Sequence, residues 1–271
     1  MKYAASVLLP VLSIVLLLAG LLYAQDAPPP AQPPAGDAAA QPAPPADDPM
    51  AKAQRLVGEM QAAVGRVSDF TANFYKKEYK KGQLPQEIAF MKWRNKPRTV
   101  YMKWIGVEKK NQEIIWGEGK NDGKIHAHKG SFPDLTVNLG TNDWMAMKDN
   151  RHPITDSGFP HTVGLIAKDM KLAQQHPDWK VSVKDLGTMK VYGAASACYE
   201  AETDKAAHPE FYGYKALICM HNALKLPTKV QIWDKEDGKV RLVEDYGYEN
   251  IKVNVGLSEK DFDPENKEYN F

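Results

Sequence analysis

The stretch Pro85–Trp116 constrains the fold most, because it predicts adjacent antiparallel strands that carry large apolar side chains. Ile88–Arg94 and Arg98–Ile105 form a predicted hairpin, and Gln112–Gly117 follows as a third strand. Pro97 lacks a backbone donor and therefore belongs in the turn. Strands of this kind build either a thick core or an apolar groove. The side chains concerned are Met91, Trp93, Met102, Trp104 and Trp116.

The rest of the chain predicts two helices and further strands around this hairpin. Apolar residues recur at helical spacing in Pro49–Val67 and Phe159–Gln175. Asp48 precedes the first helix as a capping residue, with proline at the first helical position. Residues 131–156 are expected to form a loop with a short strand or helical turn. The remaining predicted strands are Phe70–Lys80, Lys124–Lys129, Trp179–Leu186, Lys190–Thr203, Phe211–Asn222, Pro227–Asp234 and Lys239–Val253.

This order of helix, strands, helix and strands predicts an α+β fold. The expected arrangement is one curved antiparallel sheet with the helices on its concave side. Residues 49–271 would form this single domain.

The first 48 residues predict export. Residues 1–24 combine Lys2, an apolar run and a terminal Ala24, which is typical of a cleaved signal peptide. An uncleaved membrane anchor is the alternative. Residues 25–48 are rich in proline and alanine and predict a disordered linker. We therefore expect a protein of the periplasm or cell envelope.

Charge and cysteine content exclude some classes of protein. The 35 Lys and Arg residues nearly balance the 34 Asp and Glu residues, so no nucleic-acid partner is expected.

Cys198 and Cys219 lie on two strands of one predicted hairpin, and an exported protein meets an oxidant. We predict a disulfide between them, with two buried thiols as the alternative.

Enzyme motifs are absent from the sequence. It contains no nucleophile elbow, no glycine-rich phosphate loop after a strand, and no paired acids of the kind found in a cleft. We predict a protein without catalysis or cofactor.

A pair of histidines is the remaining candidate for a metal-binding site. His126 and His128 would share one face of a strand and could bind zinc with Asp122, His152 or His161 as a third ligand. Solvated histidines at a strand end are the simpler interpretation, so no metal is predicted.

A lysine cluster near a predicted turn has two interpretations. Lys76, Lys77, Lys80 and Lys81 could contact anionic headgroups. They could equally protect an exposed strand edge from pairing, and this second interpretation is the one we favour.

The closing residues 246–271 (YGYENIKVNVGLSEKDFDPENKEYNF), the hairpin residues 96–98 (KPR) and 101–104 (YMKW), and residues 121–124 (NDGK) carry a family resemblance. The chain resembles an uncharacterised family of exported bacterial proteins, related to the LolA/LolB-like lipoprotein carriers, over most of residues 51–271. The resemblance implies a half-open β-barrel capped by helices, with an apolar cavity for acyl chains. It carries over no catalytic residue.

The sequence thus predicts an exported, non-catalytic binding protein. Its ligand would be a lipid or the acyl chain of a lipoprotein, held in the cavity of the half-barrel. The alternative is an envelope sensor or protein-interaction module on the same fold. Flexible methionines suit a variable acyl chain, although ordinary core packing remains open for every candidate. The candidate cavity residues are Met91, Trp93, Met102, Trp104, Trp116, Met60 and Met170.

Overall fold

The computed structural model describes residues 48–80 and 82–271. The predicted signal peptide (residues 1–24) and the predicted linker (residues 25–48, apart from Asp48) lie outside the described residues. Within the described part, no helix combines the length and apolarity needed to cross a membrane.

The described residues contain three α-helices, two at the predicted helices and one in the segment expected to be a loop with a short strand or helical turn. They are α1 (Pro49–Val64), α2 (Trp144–Met147) and α3 (Phe159–Gln175). The Asp48 side chain accepts a hydrogen bond from the Met50 amide at 3.0 Å, which confirms the predicted N-cap. Helix α1 ends at Val64, three residues before the predicted end.

The described strands form one 11-stranded antiparallel sheet in the order β6-β5-β4-β3-β2-β1-β11-β10-β9-β8-β7. Most connections are hairpins between neighbours in sequence, and the central pairing joins β1 to β11. The edge strands β6 and β7 do not meet, so the curved sheet stays open. The strands are β1 (Asp69–Glu78), β2 (Gln86–Arg94), β3 (Thr99–Trp104), β4 (Glu113–Gly117), β5 (Ile125–His128), β6 (Thr136–Leu139), β7 (Val181–Val191), β8 (Ala194–Thr203), β9 (Lys215–His221), β10 (Pro227–Glu236) and β11 (Lys239–Val253).

Helices α1 and α3 pack together against one face of the sheet, which we call the inner face. Met60 of α1 and Val163 of α3 are buried in one cluster with Val230 and Val243 of the sheet. Burial of these side chains is the main force that holds the helices on the strands. The predicted fold, a curved antiparallel sheet with helices on one side, is confirmed.

The C-terminal residues cover part of the opposite, outer face. Phe262 is buried against Tyr101 and Ile115, and Tyr269 and Phe271 pack on the same cluster. The ring of Tyr269 stacks on that of Tyr101 at 4.1 Å between centroids. The sheet therefore buries apolar residues on both faces over β2–β4.

The predicted disulfide is present. Cys198 of β8 and Cys219 of β9 are directly opposite in the antiparallel ladder, and their sulfur atoms are bonded. The bond joins two strands near one end of the sheet.

Candidate functional site

A cavity of about 700 Å³ lies between the inner face of the sheet, helix α3 and the segment that precedes α3. Its wall includes residues from strands near both edges of the sheet, from Val137 in β6 to Val183 in β7. Aliphatic and aromatic side chains make up much of this wall. Examples are Phe74, Ile114, Leu165, Ile218 and Tyr248.

The seven cavity candidates fall into two groups. Met102, Trp104 and Met170 line the cavity. Met60, Met91, Trp93 and Trp116 are not among the lining residues and are buried in the hydrophobic core.

Trp93 illustrates why the second group is core. Its side chain is 1% exposed and stacks on Phe70 at 5.4 Å between ring centroids. Its indole Nε1 donates a hydrogen bond to the Ser157 carbonyl at 3.0 Å. Trp93 therefore fixes the segment that leads into α3, and through it one wall of the cavity.

A buried carboxylate lies in the cavity wall between two lysines. Glu87 forms ion pairs with Lys76 at 3.4 Å and with Lys109 at 2.8 Å. It also accepts a hydrogen bond from the Trp104 indole at 2.7 Å. Burial alone would raise the pKa of Glu87, but the two ammonium groups outweigh it and the pKa is lowered.

A second polar cluster surrounds Glu244 of β11. Its carboxylate accepts a hydrogen bond from the Tyr212 hydroxyl at 2.9 Å and lies 3.1 Å from His152 Nε2. Arg151 Nε reaches the same carboxylate at 3.3 Å. Burial would lower the pKa of His152, yet its hydrogen bond to Glu244 and the charge of that group raise it. Burial, followed by the negative charge of Glu244, raises the pKa of Tyr212, which therefore stays a donor.

Of these charged residues, sequence patterns single out Lys76 and His152 but not Glu87, Lys109, Glu244 or Arg151, although β1 contains a signal. The alternation that turns Phe74 inward continues through Lys76 and Glu78, so all three line the cavity.

Our interpretation of the lysine cluster as edge protection is wrong, because β1 is a central strand paired with β2 and β11. Lys76 is instead buried between Glu78 and Glu87, and Lys81 lies outside the described residues.

His126 and His128 lie on β5, and both rings pack near Phe271 of the tail. His126 Nδ1 is 2.9 Å from the Asn138 side-chain oxygen, and His128 Nε2 is 3.2 Å from Asp134. Within the described part of the chain, neither histidine belongs to a group of three ligand-type residues.

His152 and His161 come together with Asp156 instead, beside the second polar cluster. The three side chains offer ligand atoms that all lie within 4.8 Å of one another, and all three residues line the cavity. His161 Nδ1 is 3.9 Å from an Asp156 oxygen. Burial lowers the pKa of His161. The negative charge of Asp156 acts in the opposite direction but is the smaller effect.

Exposed apolar side chains flank one end of the cavity wall. Leu135 and Met145 line the cavity. Phe132 and Trp144, which are close to them in sequence, are 94% and 74% exposed. This apolar rim comes from the β5–β6 connection and from α2.

Comparisons with known proteins place the chain in a family. The family profile described as "Protein of unknown function (DUF1571)" matches residues 67–271, and no curated protein matches. The resemblance of the closing residues to a family of unknown function is thereby confirmed.

Solved structures similar to this chain include two mycobacterial proteins and a LolA superfamily protein. LprF from Mycobacterium bovis is 12% identical with a TM-score of 0.44, covering 76% of this chain and 95% of that one. Lipoprotein LppX from Mycobacterium tuberculosis is 10% identical with a TM-score of 0.43, covering 76% and 98%. A LolA superfamily protein from Nitrosomonas europaea is 10% identical with a TM-score of 0.30, covering 78% and 97%.

Proposed function

The chain belongs to the DUF1571 family of unknown function, and from its cavity we propose that it is an exported, non-catalytic protein that holds a hydrophobic ligand. The ligand would be a lipid or the acyl chain of a lipoprotein. The observation that carries the proposal is an apolar cavity of about 700 Å³ on the inner face of the sheet.

The size and wall of the cavity suit an acyl chain. Ligand pockets in proteins commonly measure about 300–1,000 Å³ and are mainly apolar. Each methylene group moved from water into such a pocket contributes about 0.8 kcal/mol. Met102 and Met170, both in the wall, can adapt to chains of different length because their side chains are flexible.

The cavity wall also contains charged groups that suit the headgroup of an amphipathic lipid. Lys76, Glu87 and Glu244 line the same cavity as the apolar wall. Lys76 is already paired with Glu87 and Glu244 with Arg151, so a headgroup would add hydrogen bonds rather than neutralise a free charge. A lipid with both an acyl chain and a polar head would therefore use the whole site.

Displacement of a fluorescent fatty acid from the purified mature protein tests the proposal. We expect saturable binding with one chain per protein, and competition by unlabelled C14–C18 fatty acids. The Ala216→Trp variant adds bulk to the cavity wall and should lose binding. The Val240→Trp variant makes the same change at a residue that is 53% exposed and should keep it. Absence of binding by folded wild-type protein would contradict the proposal.

Export is a separate part of the proposal and has its own measurement. It is supported by the apolar run and terminal alanine of residues 1–24. Intact mass of the protein recovered from the envelope should correspond to a chain that starts after Ala24. A mass that includes Met1 would favour the uncleaved anchor.

The apolar rim favours a second candidate function, an envelope sensor or protein-interaction module. Phe132 and Trp144 are exposed, and exposed aromatic residues are common at contact sites between proteins. Mass spectrometry of lipids that co-purify from the native envelope separates the two functions. A lipid bound in proportion to protein supports the carrier, whereas lipid-free folded protein supports the interaction module.

A further inference from the structure

The loop before α3 and the first turn of α3 bring together three side chains of the kinds that bind transition metals. His152, Asp156 and His161 offer two imidazole nitrogens and one carboxylate oxygen, and these atoms lie within 4.8 Å of one another. Imidazole and carboxylate together suit Zn²⁺ and similar dications better than Ca²⁺ or Mg²⁺. We propose that these residues form a zinc site in the wall of the cavity.

The imidazole ring of His161 has a buried nitrogen that could bind a further ligand. Its Nε2 atom is buried and has no hydrogen-bond partner among the described residues. Its Nδ1 atom is 3.9 Å from Asp156, which exceeds hydrogen-bond distance. A buried polar atom without a partner costs free energy, and a metal ion bound by this ring would remove that cost.

His152 already has the support that metal-binding histidines commonly have. Its Nε2 atom lies 3.1 Å from the Glu244 carboxylate and 2.9 Å from the Tyr212 hydroxyl. A carboxylate that accepts a hydrogen bond from one ring nitrogen fixes the ring and makes the other nitrogen a better ligand. Glu244 is thus a positioning residue for the site.

The geometry requires only a small closure. Zinc binds nitrogen and oxygen ligands at about 2.0–2.2 Å, so atoms around a tetrahedral ion are about 3.3 Å apart. Ligand atoms that now lie within 4.8 Å would each move by about 1 Å. Side-chain rotation can supply this movement, because Asp156 and His161 are 33% and 30% exposed.

Three protein ligands leave a fourth position free for water or another donor. All three residues line the cavity, so that position would be accessible to a carboxylate or phosphate group inside it. The proposal does not depend on which ligand the cavity holds, because zinc binding can be measured without one.

Equilibrium dialysis of tag-free protein against Zn²⁺, read out by elemental analysis, tests the site. We expect one zinc per chain with micromolar or tighter affinity, and a cobalt-substituted protein with the visible absorption of a four-coordinate ion. His161→Gln and Asp156→Asn should each weaken zinc binding at least tenfold. His126→Gln changes a histidine outside the cluster and should bind zinc as the wild-type protein does.

The outcomes that overturn the proposal are defined by the same measurements. Wild-type protein that retains no zinc at 100 µM free metal would exclude the site. Equal loss of zinc in His126→Gln and His161→Gln would show that binding is unspecific. Circular dichroism of each variant confirms that any loss occurs in folded protein, and fatty-acid binding is measured separately, so failure of one proposal leaves the other testable.

Discussion

At the scale of single residues, the outer face contains a carboxylate that is completely enclosed. The Glu113 side chain is 0% exposed and forms an ion pair with Lys103 at 2.8 Å. It accepts hydrogen bonds from the Tyr101 hydroxyl at 2.9 Å and from the Asn270 side chain at 2.6 Å. Burial, followed by the hydrogen bond to Glu113, raises the pKa of Tyr101, so the phenol remains a donor.

We expect Glu113→Ala to lower the free energy of unfolding by about 3 kcal/mol, because it leaves buried donors without an acceptor. Urea unfolding followed by circular dichroism measures the change. Glu108→Gln alters an exposed acid and should change stability by less than about 0.5 kcal/mol. Equal stability of Glu113→Ala and the wild type would mean that the C-terminal residues do not enclose this carboxylate in solution.

Glu87 predicts a dependence of stability on pH. Although burial opposes ionisation, Lys76 and Lys109 lower the pKa of Glu87 below its ordinary 4.5. Its ionised form therefore stabilises the fold fully above that value, and the contribution is lost as the pH falls through the lower pKa of the folded state. Glu87→Gln should be less stable than the wild type at pH 7, and the difference should shrink at about pH 3. Unfolding curves at both pH values provide the measurement, and Glu118→Gln is the exposed control. If the stability difference between Glu87→Gln and the wild type stayed constant with pH, the lowered pKa of Glu87 would be contradicted.

At the scale of elements, one glycine fixes how α3 meets the sheet. Gly158 precedes α3 with a φ of +96°, and a Cβ atom there would lie 2.6 Å from Trp93 Nε1. Both the backbone conformation and the close approach of the indole favour glycine. The start of α3, and with it the wall of the cavity, therefore depends on this contact.

Gly158→Ala should lower the free energy of unfolding by about 2 kcal/mol, through backbone strain and displacement of Trp93. Gly164→Ala makes the same chemical change inside α3, where a Cβ meets no atom within 4 Å. It should stabilise the protein by about 0.5–1 kcal/mol, since alanine favours a helix over glycine. Thermal unfolding of both variants gives the comparison. If both changes act in the same direction, α3 does not approach Trp93 as described.

The sequence predicts most element bounds well but misplaces the turn between β7 and β8. We expected it near Gly187, whereas the structure turns at Tyr192 and Gly193, both with positive φ. Gly187 lies at an irregularity within the ladder, where its amide donates to the Asp185 side chain at 2.8 Å. A glycine with positive φ serves a bulge as well as a turn, and an alternating pattern does not distinguish them.

At the scale of the whole molecule, the distinction between core and cavity could not be predicted from local pattern. Met91 and Met102 are direct partners in the ladder between β2 and β3. Both are buried in the same apolar cluster, yet of the two only Met102 also lines the cavity. Which buried side chain borders open space depends on how helices and loops pack on the sheet, and hence on contacts between residues far apart in the sequence. Recognition of the fold needed only the order of helices and strands, and recognition of the family needed only the closing residues and the short motifs at residues 96–104 and 121–124.

A ligand that occupies this cavity should stabilise the whole fold, because the wall combines residues from the sheet and from α3. A ligand that binds only the folded protein raises the free energy of unfolding by about 2.7 kcal/mol at 100 times its dissociation constant. We therefore expect a saturating fatty acid to shift the unfolding midpoint of wild-type protein and of Val240→Trp, and to leave Ala216→Trp unchanged. A shift in all three proteins would place the fatty acid elsewhere, such as on the exposed rim at Phe132 and Trp144. A shift confined to the proteins with an open cavity would show that the fatty acid binds at the inner face, whose cavity wall is lined by both apolar and charged side chains.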